Sequence, residues 1–193
     1  MAVTVWLSRT GDDPRPVARA LLIRAAARML DLPADAIEVA HEPGGRPYLR
    51  GRAAHLYVSV SHCPGVAAVA ISPCAAVGVD VEAVRPLPAL ELARRWLPAA
   101  EAAWLRGQPP DRQVRAFLAL WTVKEAVGKA YGTGLRGGGL RRAVGVPGPR
   151  LAPVGPDMAA ATPTAPPGLV LAVACGIDAA RHADVAVRVV DRP

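Results

Sequence analysis

The chain has 193 residues, 52% of them hydrophobic and 20% charged, enough apolar material for the core of one domain or two small lobes, which excludes a disordered chain. A formal charge of +7 and a pI near 10.1 favour an anionic partner: nucleic acid, a phosphate-rich cofactor or an acidic protein surface. Cys63, Cys74 and Cys175 form neither a CxxC pair nor a metal-ligand spacing, and no signal peptide or bilayer-length apolar run is visible, so a cytoplasmic protein with reduced thiols and no membrane partner is expected.

In chain order, residues 2–8 alternate as a strand, and residues 14–30 read as a helix capped by Asp13, with Pro14 at its first position. Residues 36–40 read as a strand leading into a turn, Glu42 to Tyr48, that presents Arg46. Residues 55–63 and 66–72 form a hairpin about Pro64-Gly65, and a further strand runs over 77–82. Helices are predicted over 87–96, 99–106 and 111–131, followed by a glycine-rich loop over 132–139. Residues 142–146 read as a short strand and the proline-rich 151–168 as loop, with 169–175 and 184–190 as closing strands paired antiparallel. Strand–helix followed by strand meander occurs twice. The expected fold is α+β, with two similar lobes split near Pro73 to Val77, that is 1–76 and 77–193.

Of 23 basic residues only Lys124 and Lys129 are lysines, and both lie in the stretch Trp121 to Tyr131. An ammonium is a compact charge that can give up a proton, and a guanidinium cannot, so this window calls for lysine chemistry. Trp121, Glu125 and Lys129, at i, i+4 and i+8, share one helix face. The plain alternative is an ordinary Glu125–Lys129 ion pair on a wet surface.

In Val77-Gly78-Val79-Asp80-Val81-Glu82, alternation sends Asp80 and Glu82 to one face and the valines to the other. Two acids side by side repel unless a cation lies between them, and Mg²⁺ takes one or two carboxylates plus phosphate oxygens. Glu125 can complete such a site. Ser61 and His62, at a strand end, suit a phosphate contact, since no nucleophile elbow accompanies them. His41, His55 and His182 have no partner pattern. Gly132 to Gly137 spells G-x-G-x-x-G, but a helix comes before it where the dinucleotide fingerprint needs a strand, so that reading is rejected.

Four motifs in this order, GRPYL (45–49), SVSHC (59–63), GVDVE (78–82) and WTVKEAVGK (121–129), resemble the 4′-phosphopantetheinyl transferase superfamily, in its surfactin-synthetase-activating, pseudodimeric type. The resemblance covers about Arg19 to Leu135. It implies Mg²⁺-dependent transfer of phosphopantetheine from coenzyme A to a serine of an acyl or peptidyl carrier protein, by a monomer whose two lobes meet at the active site. It implies Asp80, Glu82 and Glu125 as metal ligands and Lys124 and Lys129 at the pyrophosphate. Arg19, Arg46, Ser61 and His62 would be further coenzyme A contacts. Glu125 would deprotonate the serine, Lys129 would protonate the leaving phosphate, and Glu101 in LPAAEAAWL would take a supporting role. Two rival readings are a basic nucleic-acid-binding module and an inactive carrier-binding scaffold. Aromatics at 4% and dispersed arginines argue against the first, and intact acids and lysines against the second.

Overall fold

The computed structural model describes residues 2–11, 13–136, 138–180 and 184–190. His182 and Gly137 lie outside them. Strands β1 (Ala2–Arg9), β4 (Tyr57–Cys63) and β5 (Val66–Ser72) form a four-stranded sheet with β10 (Asp184–Val190), in the order β10-β1-β5-β4. A second sheet, β6-β9-β8-β7, contains β6 (Val77–Ala83), β7 (Ala152–Pro153), β8 (Met158–Ala161) and β9 (Leu169–Gly176). Strands β2 (Val39–His41) and β3 (Pro47–Leu49) make a separate hairpin.

Helix α1 (Pro14–Leu30) starts as its sequence dictates: the Asp13 carboxylate accepts from the Arg15 N–H at 3.1 Å, and Pro14 occupies a position where no amide partner is lost. It buries Leu21, Leu22, Ala25 and Ala26 against Trp6, Val58, Val69 and Ile71 on one face of the first sheet. The other face packs Val3, Val5 and Leu7 onto Val77, Val79, Val81, Leu171 and Val173 of the second sheet. Beyond that sheet lie α2 (Ala89–Trp96), α3 (Ala99–Arg106) and α4 (Pro110–Tyr131), with Leu105, Phe117, Leu120, Val123 and Val127 facing Ala172 and Ala174. The result is a mixed α/β stack of helix, sheet, sheet, helices. No helix among the described residues is long and apolar enough to cross a membrane.

Three sequence expectations are corrected. Strand β10 does not pair with β9; it runs parallel to β1. The cause is edge availability: β9 is flanked by β6 and β8, leaving no free side, whereas β1 offers one. Residues 142–146 form no strand: the Arg142 carbonyl accepts from buried Lys124, and the Val144 and Gly145 amides donate to buried Glu101. The 151–168 segment is not loop throughout: small, buried Met158–Ala161 adds a strand to β9, a signal hidden by the surrounding prolines.

Candidate active site

Helix α4 lies directly across β6, and glycine lets it. A Cβ at Gly78 would stand 1.9 Å from the Ala126 carbonyl oxygen, and one at Gly128 would stand 2.0 Å from that of Gly134. Neither position admits a side chain: Gly78 lets the backbones of α4 and β6 meet, which carries Glu125 and Lys129 onto the Asp80 face of the strand, and Gly128 lets the loop after α4 fold back on the helix.

Strand β6 is an edge of its sheet, and its outward N–H groups are met by serines of the other sheet's edge strand, β4. Ser59 Oγ accepts from Val79 N–H at 3.1 Å and Ser61 Oγ from Val81 N–H at 3.3 Å. The Ser61 hydroxyl then donates to Asp80 Oδ1 at 2.7 Å. The serines therefore join the two sheets and orient the first acid. Ser61 does not share a surface with His62: it is buried at the sheet junction, whereas His62 is exposed on the opposite face of β4.

Asp80 is 6% exposed, and its Oδ1 also accepts from the Lys129 ammonium at 2.8 Å, which donates in addition to the Val79 carbonyl at 3.1 Å. In place of the plain alternative, a surface pair of Lys129 with Glu125, the structure has a partly buried pair of Lys129 with Asp80. Glu82 is held by Arg85 at 2.9 Å. Glu125 is half-buried beside both acids; burial first, and then the charges of Asp80 and Glu82, push its carboxyl above the usual range against the opposing pull of Lys129. Asp80 Oδ2 is buried with no hydrogen-bond partner in the protein. Among the described residues no three His, Cys, Asp or Glu side chains are arranged, as they lie, to hold a metal ion. The oxygen-only donor set and the orphaned Oδ2 nonetheless suit a hard divalent cation.

Two pockets run from these residues along the β2–β3 hairpin. One, of about 240 Å³, is lined by Arg46, Ser59, Lys129, Gly132 and Gly134. The second, of about 340 Å³, is lined by Arg15, Arg19, His41 and His62, and shares Gly45, Pro47 and Val60 with the first. Arg46 lies over the left-handed Gly132 (φ 75°), where a Cβ would come within 2.7 Å of its Nη1. Arg19, Arg46, His62 and Lys129, scattered in sequence, thus share one cationic trough. His41 joins them only through the hairpin, a long-range placement that no local pattern announces.

Lys124 is not brought to this trough. Its side chain is fully buried, its ammonium 2.6 Å from Glu101 Oε2 and donating to the Arg142 carbonyl. Burial draws its pKa below the ordinary lysine value, with Glu101 resisting. A third cavity, of about 600 Å³, opens beside Glu82 and Arg85 and is walled by Leu87, Leu92, Trp96, Phe117, Trp121 and residues 138–141. The sequence reading missed it; its one signal was the unpaired apolar face of α2.

Residues 76–146 match the 4′-phosphopantetheinyl transferase superfamily. The chain is 31% identical over 133 residues to a putative 4′-phosphopantetheinyl transferase of Synechocystis sp., covering 67% of this chain and 54% of the relative. It is 36% identical over 98 residues to the 4′-phosphopantetheinyl transferase HetI of Nostoc sp., covering 49% and 41%. It is 33% identical over 125 residues to the 4′-phosphopantetheinyl transferase psf-1 of Bacillus pumilus, covering 64% and 52%. The chain thus spans about half the length of these curated relatives.

Proposed function

With residues 76–146 forming a segment of the 4′-phosphopantetheinyl transferase superfamily, we propose that the chain transfers 4′-phosphopantetheine from coenzyme A to a serine of an acyl or peptidyl carrier protein. One observation carries the reading: Asp80 is paired with Lys129, which also lines a basic trough with Arg46, and Glu125 lies close enough to feel the charges of Asp80, Lys129 and Glu82. Phosphoryl transfer asks for little else than positioned cations, a metal-holding acid set and a base.

In this reading Arg19, Arg46 and His62 bind the nucleotide phosphates of coenzyme A, and Asp80, Glu82 and Glu125 hold Mg²⁺. The bound cation supplies charge neutralisation at the pyrophosphate. The carrier serine gives its proton to Glu125, directly or through water. Its oxygen forms a bond to the β-phosphorus as the bridging P–O bond breaks. That electron pair departs with adenosine 3′,5′-bisphosphate, and Lys129 protonates the leaving phosphate. Ser61 acts by fixing Asp80. Lys124 is left out of the phosphate set because its ammonium is enclosed by Glu101 and Arg142.

Both halves, about 1–76 and 77–193, contribute: the trough comes mainly from the first and the acids from the second. This division fits the two-lobed, pseudodimeric, surfactin-synthetase-activating type acting as a monomer, although β10 crosses back to the first sheet. The test is the intact mass of an apo carrier protein incubated with coenzyme A and Mg²⁺. The expected result is a gain of one phosphopantetheine, lost with Asp80→Ala or excess chelator while the melting curve of the variant stays cooperative. Full transfer in excess chelator would overturn the metal assignment. Stabilisation by duplex DNA with no response to coenzyme A would favour the nucleic-acid-binding alternative.

A further inference from the structure

The ion pair of Lys124 with Glu101 does nothing in the chemistry above, yet it is the most deeply buried charged group described. Pairs of this kind are costly, and an apolar pair of similar volume is often as stable. What this one touches gives it a task. Glu101 Oε1 accepts from Val144 N–H at 2.8 Å and from Gly145 N–H at 3.1 Å. Lys124 donates to the carbonyl of Arg142. Residues 142–145 have no strand or helix partner, so these two side chains satisfy their backbone from α3 and α4. The same segment is steadied further where the Arg142 guanidinium lies 4.7 Å from the centre of the Tyr131 ring, and where Arg141 reaches the Arg95 carbonyl at 3.4 Å.

Just before the anchored residues, Gly138 to Arg141 form one wall of the 600 Å³ apolar groove. Its lining also includes Glu82, Arg85 and Arg141. The basic trough lies by Lys129 and Arg46, so the donor nucleotide is accommodated away from the groove. An apolar surface with Arg85 and Arg141 in its lining is complementary to an acceptor with apolar and acidic character.

We propose that Lys124 and Glu101 are positioning residues which, by fixing the backbone of 142–145, set the groove wall that receives the acceptor protein. This rests on the transferase reading for the identity of the acceptor, but not for the anchoring itself.

The test uses the double variant Lys124→Met/Glu101→Gln, which removes both charges while leaving an acceptor for the Val144 and Gly145 amides; single variants serve as controls for misfolding. Two readouts are taken. Amide hydrogen exchange across 138–146 is expected to quicken about tenfold relative to β1 and β5, as anchoring contacts are lost. The KM for the carrier is expected to rise about tenfold, with the KM for coenzyme A and kcat little changed. Unchanged exchange in a folded double variant overturns the anchoring. Faster exchange with an unchanged carrier KM overturns the link to the acceptor. A raised KM for coenzyme A would return Lys124 to the phosphates and overturn the proposal outright. Wild-type protein without transferase activity would refute the functional reading, and the exchange result would still decide the anchoring.

Discussion

Lys124 and Lys129 stand five residues apart on one helix and are the chain's only lysines, yet the structure uses them in opposite ways. Lys129 lies on the face of α4 turned to β6, partly open, bonded to Asp80 and lining the trough. Lys124 lies about 140° away round the helix axis, sealed against Glu101 beneath the loop over 142–145. Scarcity drew attention to both positions, and their settings differ: at 129 a charge facing a pocket, at 124 a charge that satisfies backbone and carboxylate in a closed space. The same residue type stands open to a pocket at 129 and holds backbone in place at 124.

The sharpest way to break this contrast is Lys124→Met. It leaves the Glu101 carboxylate buried without its counter-charge, and the loss of a single partner from such a pair costs about 3–5 kcal/mol. Denaturant unfolding should show a midpoint lowered accordingly; a midpoint matching the wild type would mean that the pair is not closed in solution. The complementary variant, Lys129→Arg, keeps the charge but misplaces it and holds its proton. Turnover should fall by ~10²-fold, with the melting temperature almost unmoved. A near-normal rate would return Lys129 to the status of an ordinary ion-pair partner.

A smaller effect sharpens the contrast on the Lys129 side. Glu125 has a folded-state pKa raised above its unfolded one, so the folded protein binds more protons between the two values. That carboxyl's contribution is full below the unfolded carboxylate value, and it is lost as pH rises through the raised folded value. Glu125→Gln cannot titrate. Its melting temperature relative to the wild type should therefore climb as pH is raised from about 4 towards neutrality. A constant difference across that range would mean that Glu125 titrates like an exposed acid.

Much of the candidate site was legible in the residues. Alternation along 77–82 put Asp80 and Glu82 on one face, and the i, i+4, i+8 spacing put Glu125 and Lys129 on another that Gly78 lets approach it. The helix limits at Asp13, Pro14 and Gly132 follow from capping and from backbone stereochemistry, which act within a few residues. These are local constraints, so the sequence alone determines them.

What tertiary structure decided is everything that depends on which surface is already taken. Ser61 was read as a phosphate contact and turned out to orient Asp80, because β4 and β6 meet as sheet edges and its hydroxyl is consumed there. Strand β10 went to β1 because β8 had filled the side of β9. Lys124 differs from Lys129 only in what folds over it, the loop over 142–145 with its Glu101 anchor, a contact 23 residues away along the chain from Glu101 to Lys124. Propensity and periodicity assign a side chain to a face of its own element. Whether that face ends in solvent, in a pocket or under a loop is settled by the competition of distant segments for the same edges and backbone partners, and that competition exists only in the folded chain.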